Sequence, residues 1–261
     1  MRSLGVIGSL ARDLVGGGAP RIGGGPWHAA RALHALRHQA ILFTKCGDAE
    51  QREYRLRLAA LGLPLTLAAR GETTTFAFSY DAHGARTMRV EAVGEPWQRD
   101  DVPEALLRRV EWLHVAPLLR GDFDPDLLAW LARGRRLLLD AQGLVRARAE
   151  GPLVLDDAFD PALLRHVTVL KLSEEEAAAV GDVTSLDVPE ILLTLGEVGS
   201  RVRSRGSIVY VPARAVPVDP TGAGDAFSVA YLAARAEGHA PVSAARRATA
   251  LVGALLAGRA R

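Results

Sequence analysis

The sequence predicts an α/β fold: a three-layer α/β/α sandwich with a mainly parallel central sheet and a small β lid. Three observations carry that prediction. Short apolar runs bounded by turn residues alternate with helical periodicity along most of the chain. One stretch, 73–93, alternates with period two instead, and from Asp219 onward the chain is almost entirely helical. Near-continuous apolar strands interleaved with helices are what a parallel sheet covered on both faces requires.

In order, SLGVIGS (3–9) reads as a buried strand, and WHAARALHALRH (27–38) as a helix opening just after Pro26. AILF (40–43) is a second strand, and AEQREYRLRLAALG (49–62) a helix with Gly62 as its stop. The alternation continues through EWLHVAP, DPDLLAWLARG, RRLLLDA, VTVLKL, SEEEAAAVG and EILLTLG. The stretch 73–93, centred on DAHG, predicts an antiparallel hairpin. VGGGAPRIGGGP (15–26) is too glycine-rich for an element interior and reads as loop or edge.

The 261 residues, 49% of them hydrophobic, suffice for one sizeable core, and no composition shift marks an internal boundary, so 1–261 reads as one domain. The net charge is +2, the arginines are scattered and aromatics are 5%. That is not the basic stripe of a nucleic-acid binder. No apolar run is long enough to span a bilayer. The N-terminal MRSLGVIGSLARD lacks a signal peptide's apolar core and cleavage site. The single cysteine, Cys46, fits a reducing compartment. A soluble cytoplasmic protein is expected. Of 32 basic residues only Lys45 and Lys171 are lysine, so a retained lysine points to a site that wants a compact ammonium on a flexible stem.

The segment with most chemistry is VDPTGAGDAF (218–227). A helix start offers unpaired N–H groups and partial positive charge, and glycines let an anion approach them. Gly222, Ala223 and Gly224 would form such a cradle. A carboxylate at its mouth, Asp225, repels a phosphate that is merely held; it suits a phosphoryl group that is moved, by taking the acceptor's proton.

DPTGAGDAF resembles the C-terminal signature of the ribokinase (PfkB) family of carbohydrate kinases, D-T-x-G-A-G-D. GVIGSLARDLV is similar to that family's first strand with its substrate-binding acid, and GGGPWHAARALHAL to its N-terminal signature. KLSEEEA resembles the N-x-x-E segment, and LLTLGEVGS the T-x-G-x-x-G nucleotide loop. No GxxxxGK[ST] or GxGxxG loop competes.

The resemblance implies a ribokinase-like fold with Asp225 as general base and Gly222, Ala223 and Gly224 as anion hole. Glu176 would hold Mg2+, mostly through water, with Ser173 standing where the family has Asn. Lys171 would reach an ATP phosphate, while Lys45 is structural. Thr194, Gly196 and Gly199 would line the nucleotide groove. Asp219 matches the acid near a monovalent cation in K+-activated relatives. The segment completing that site and the adenine pocket is cut short after ALLAGRAR, which argues against cation activation. Asp13, Gly24, Gly25 and His28 (at the family's Asn) would meet the substrate, with Gln142 and Arg146 as further contacts. His34, His38, His83 and His114 show no metal-ligand spacing.

Nine residues separate Asp13 from Gly23, fewer than the family's usual excursion. The lid, from about 13–22 and 73–93, is therefore reduced, and the hairpin is expected to cover the substrate nearly alone, its exposed edge making a homodimer contact. The expected activity is ATP- and Mg2+-dependent phosphorylation of a hydroxyl on a sugar or sugar-like polyol. The alternatives are a nucleoside kinase of the same family and, in another class, a non-catalytic sugar or nucleotide sensor on the same scaffold.

Overall fold

A computed structural model describes residues 3–16, 18–80 and 86–259; DAHG at 81–84, with His83, lies outside them. The N-terminal part supplies β1 (Leu4–Ser9), β2 (Ala11–Val15), β3 (Arg21–Gly23), α1 (Gly25–Ala35), β4 (Ala40–Cys46), α2 (Gln51–Ala59) and β5 (Leu65–Ala69). Then come β6 (Thr75–Tyr80), β7 (Arg86–Ala92), α3 (Glu104–Leu107), β8 (Trp112–Ala116), α4 (Pro125–Ala132), β9 (Arg136–Asp140), α5 (Gln142–Val145) and β10 (Gly151–Pro152). The rest is β11 (Val169–Ser173), α6 (Glu174–Val180), β12 (Glu190–Thr194), β13 (Gly199–Ser204), β14 (Ser207–Pro212), α7 (Ala223–Ala236) and α8 (Pro241–Arg259).

The main sheet has nine strands, ordered β14-β13-β12-β11-β9-β8-β1-β4-β5. All neighbours from β5 to β12 pair parallel; β13 and β14 are antiparallel. Alternation sends each strand's apolar residues to two cores. Leu4, Val6, Trp112, Leu138 and Val169 pack with residues of α1, α2, α7 and α8, whereas Ile7, Leu113, Val115 and Leu139 pack with those of α4. The chain runs outward from β1 in both directions, so the order reverses there. The crevice at the carboxyl ends of strands beside such a reversal is the usual ligand site of this architecture.

A second sheet, ordered β10-β7-β6-β2-β3, is the lid. The run GVIGSLARDLV is therefore two strands in two sheets: the chain changes sheet at Leu10, whose N–H is held by the Lys45 carbonyl at 2.8 Å. The expectation that the 73–93 hairpin works nearly alone is corrected, because β2 pairs along β6 and β10 pairs with β7 at Arg89 and Val90. The edge on which a homodimer contact was expected is thus largely taken up within the chain. Ala11, Phe76 and Val90 pack the lid onto Leu118 and Leu119 after β8. That loop is fixed by Asp122, which accepts the Leu118 and Leu119 N–H groups at 2.7 and 3.0 Å and pairs with Arg148. Arg148 also donates to the Gly94 carbonyl, tying the loop to the segment after β7.

Candidate active site

Helix α7 starts at the sheet's reversal. Gly222 caps it in the left-handed region (φ 79°), and Asp219 stiffens the approach by accepting the Thr221 amide and hydroxyl at 2.9 and 2.6 Å. Among the described residues the N–H groups of Gly222, Gly224 and Asp225 have no protein acceptor. The Ala223 N–H does, bonding the Pro220 carbonyl at 2.8 Å. The predicted cradle is therefore corrected: the tight turn that creates it consumes the amide of Ala223. Asp225 lies in the first turn, half-buried, with no hydrogen bond to its carboxylate among the described residues.

The glycine-rich start of α1 meets this turn. A Cβ on Gly25 would sit 2.9 Å from Asp225 Oδ1 and 2.6 Å from Ala116 Cβ, and one on Gly222 would sit 2.4 Å from His28 Nδ1. Gly25 thus makes room for the carboxylate of Asp225, and His28 lies against Gly222. Gly24 (φ 90°) is required by the end of β1, whose Ser9 carbonyl would lie 2.6 Å from a Cβ there. Asp13 lies on β2 against Gly23 and in register with Phe76, on the lid face that also carries Ala11, Phe76 and Val90. Gln142 opens α5 just beyond Asp140, half-buried, with no hydrogen bond to its side-chain amide among the described residues, and Arg146 ends that helix, its N–H on the Gln142 carbonyl at 3.0 Å.

Beneath α7 the strands end in polar residues. Trp112, Leu138 and Val169 face the core under α7, so two residues on, His114, Asp140 and Lys171 face the same way. His114 Nε2 lies 2.5 Å from Asp140 Oδ2, and Lys171 Nζ lies 3.2 Å from Asp140 Oδ1. Ser228, one turn after Asp225, donates to Asp140 Oδ1 at 3.5 Å. Burial alone would raise the Asp140 pKa, but Lys171 and His114 outweigh it and hold the carboxyl well below the usual range. Burial would lower that of Lys171, but Asp140, Glu176 and Asp225 push it above its ordinary value. The pair is therefore ionic. A Cβ on Gly224 would lie 3.1 Å from the Lys171 ammonium, which places that charge directly under the helix start.

On the donor side, Ser173 and Glu176 form a reciprocal cap on α6: the Ser173 N–H reaches Glu176 Oε2 at 2.8 Å, and the Glu176 N–H reaches Ser173 Oγ at 3.2 Å. Ser173 is thus a helix cap. Glu176 keeps Oε1 for another partner, which fits Mg2+, an ion that keeps most of its waters and takes few carboxylates. The Thr194 hydroxyl is spent on the Leu172 carbonyl at 3.0 Å. Gly199 (φ 137°) answers to strand packing, since a Cβ there would sit 2.2 Å from the Val211 carbonyl; around Gly196 (φ 56°) space is open. Residues 211–217 and one face of α8, including Thr249, Ala250, Gly253 and Ala257, enclose a cleft of about 750 Å³, so α8 supplies one of its walls. Lys45 is structural: its ammonium is buried against Asp101 at 2.7 Å and the Pro96 carbonyl at 2.9 Å.

Comparison with known proteins gives this geometry a family. The model of the pfkB family carbohydrate kinases matches residues 14–259. The chain belongs to the pfkB family. Among curated pfkB relatives, an inositol 3-kinase of Zea mays is 35% identical over 179 residues, 64% of this chain and 46% of that protein. A fructokinase of Klebsiella pneumoniae is 30% identical over 258 residues, covering 87% of this chain and 82% of its own length. The chain thus spans under half of the inositol kinase but most of the fructokinase. Of solved structures, a pyrophosphate-dependent ribokinase-family kinase complexed with a pyrophosphate analog and myo-inositol superposes with TM-score 0.80 at 22% identity, covering 96% of this chain and 94% of that one. A Burkholderia thailandensis nucleoside kinase in complex with inosine gives 0.73 at 20%, covering 98% and 91%. These two show the ribokinase-like fold.

Within this pfkB chain, sequence reasoning missed Asp140 and found no role for His114. Both were marked, as the one buried polar residue of a strand whose other buried positions are apolar, WLHVA and RLLLD. Fixed spacing could not reveal that His114, Asp140 and Asp225 each bring a ligand atom within 4.8 Å of the other two.

Proposed function

We propose that this protein phosphorylates a hydroxyl of a cyclic polyol, with ATP as donor and Mg2+ as the metal. The observation that carries the reading is a half-buried carboxylate, Asp225, that has no hydrogen bond among the described residues and lies beside the Gly222 and Gly224 amides, likewise without an acceptor among them, and above the Lys171 ammonium. Asp225 takes the proton of the acceptor hydroxyl as its oxygen forms the bond to the terminal phosphorus and the bond to the leaving phosphate oxygen breaks. The Gly222 and Gly224 amides, with Lys171 below, hold the charge on the moving group. Mg2+ held through Glu176 would neutralise the donor's phosphates. Asp13 accepts hydrogen bonds from vicinal hydroxyls, the lid excludes water, and Gln142 adds an amide at the crevice.

Inositol 3-kinases among the relatives, and myo-inositol in a related fold, favour a cyclitol over a linear sugar. The 750 Å³ cleft along α8 has the size and apolar walls of a nucleotide-base site and supports ATP. A buried single cysteine and the absence, among the described residues, of a helix long and apolar enough to cross a membrane agree with work in the cytoplasm.

The test is a panel of inositols, hexoses, pentoses and nucleosides with Mg-ATP or magnesium pyrophosphate, read by product phosphate ester. Turnover of a cyclitol with ATP is expected. Turnover of nucleosides alone, or with pyrophosphate alone, would replace substrate or donor. Tight binding with no ester from any pair would overturn the kinase reading.

A further inference from the structure

The buried row under α7 does more than fill space. His114 has no exposed surface, and its Nδ1 is buried without a partner among the described residues, a penalty that an apolar side chain in this core would avoid. Its Nε2 faces an ionised carboxylate, which can only accept, so Nε2 carries the proton. Three carboxylates act on the Lys171 ammonium: Asp140, Glu176 and Asp225. Were the ammonium to settle on Asp225, the base would be neutralised; were Asp140 to claim it with both oxygens, it would be drawn away from Gly224.

We propose that His114 is a positioning residue for phosphoryl transfer: by donating to Asp140 Oδ2 it leaves only Oδ1 for Lys171, so that the ammonium stays beneath Gly224 and Asp225 stays free. The proposal rests on the reading of Asp225 as the base. The same cluster could be taken for a metal site, since His114, Asp140 and Asp225 converge within 4.8 Å. With Lys171 already 3.2 Å from Asp140, a divalent ion there would face an ammonium, and the cation of this cluster is the protein's own.

Two experiments on the full chain test it. In the first, His114→Phe keeps the volume and removes the donor, and His114→Gln restores a donor. With the acceptor found in the panel, the Phe variant should lose about 10- to 100-fold in kcat, the range seen when an outer-shell partner is removed, with acceptor KM within about two-fold, and the Gln variant should recover most of that loss. A Phe variant with wild-type kcat, or a Gln variant no better than Phe, overturns the proposal. The second needs no turnover, and so stays decisive if the kinase reading fails or the Phe variant does not fold. The imidazole 15N resonances of His114 are compared between wild type and Asp225→Asn. A shift of Nε2 on loss of that charge supports one coupled group from His114 to Asp225; unmoved resonances overturn it.

Discussion

The base role proposed for Asp225 rests on what does not touch it among the described residues. Its neighbours on one side are glycines, and the ammonium that would quench it is engaged by Asp140. Asp225→Asn should lower kcat by about 10²- to 10⁴-fold, while acceptor binding measured by calorimetry is preserved; equal loss of both would make Asp225 a binding group only. Lys171→Met leaves the buried Asp140 charge without the ammonium that faces it, though still hydrogen-bonded to His114, and should cost about 3–5 kcal/mol in urea unfolding. The pH dependence follows from the same pair. Asp140 has a folded pKa of about 2, so its contribution is present above the unfolded value and lost as pH falls through the folded one. Lys171 is raised, so its contribution is present below its unfolded value and lost as pH climbs past it. The stability gap between wild type and Asp140→Asn should therefore be flat from about pH 5 to 9 and shrink toward about pH 2. A gap that shrinks already between pH 7 and 5 would show that the pair is not ionic.

Among elements, the lid is the part least legible in advance. The apolar central strands β1, β4, β8, β9, β11 and β12 announce themselves, as does the period-two stretch that became β6 and β7, whereas β5, β13 and β14, more exposed at the sheet's two ends, were not read. β3 and β10 are three and two residues long and built of Gly, Pro, Arg and Ile, too short to show a period. β2 was read as a continuation of β1 because nothing in ARDLV marks a change of sheet. What fastens the lid is Arg148, between Asp122 and the Gly94 carbonyl. Arg148→Ala should raise the acceptor KM about three- to tenfold with a smaller change in kcat; an unchanged KM would mean that the lid does not depend on that tie. The site divides along the same line. Asp225, Gly222 and Gly224 stand in one contiguous motif and could be read, whereas His114, Asp140 and Lys171 are joined only because β8, β9 and β11 run in parallel and end together.

At the scale of the whole molecule, fold and family followed from the order of elements and motifs, while the proposed ATP donor rests on a surface that the sequence hid: the residues of α8 and 211–217 carry no signature, yet they wall the cleft. A Cβ on Gly253 meets nothing within 4 Å, so Gly253→Trp should fill the cleft and raise the ATP KM about tenfold or more, with acceptor KM unchanged; an unaffected ATP KM would move the nucleotide elsewhere. The central claim is that the start of α7 holds the migrating phosphoryl group while Asp225 faces the acceptor. Its most direct test is a crystal structure with ADP, magnesium, aluminium fluoride and myo-inositol. The account predicts the fluoride group against the Gly222 and Gly224 amides and an inositol hydroxyl on the Asp225 carboxylate; a fluoride group bound away from that helix start, or Asp225 turned from the acceptor, would contradict it.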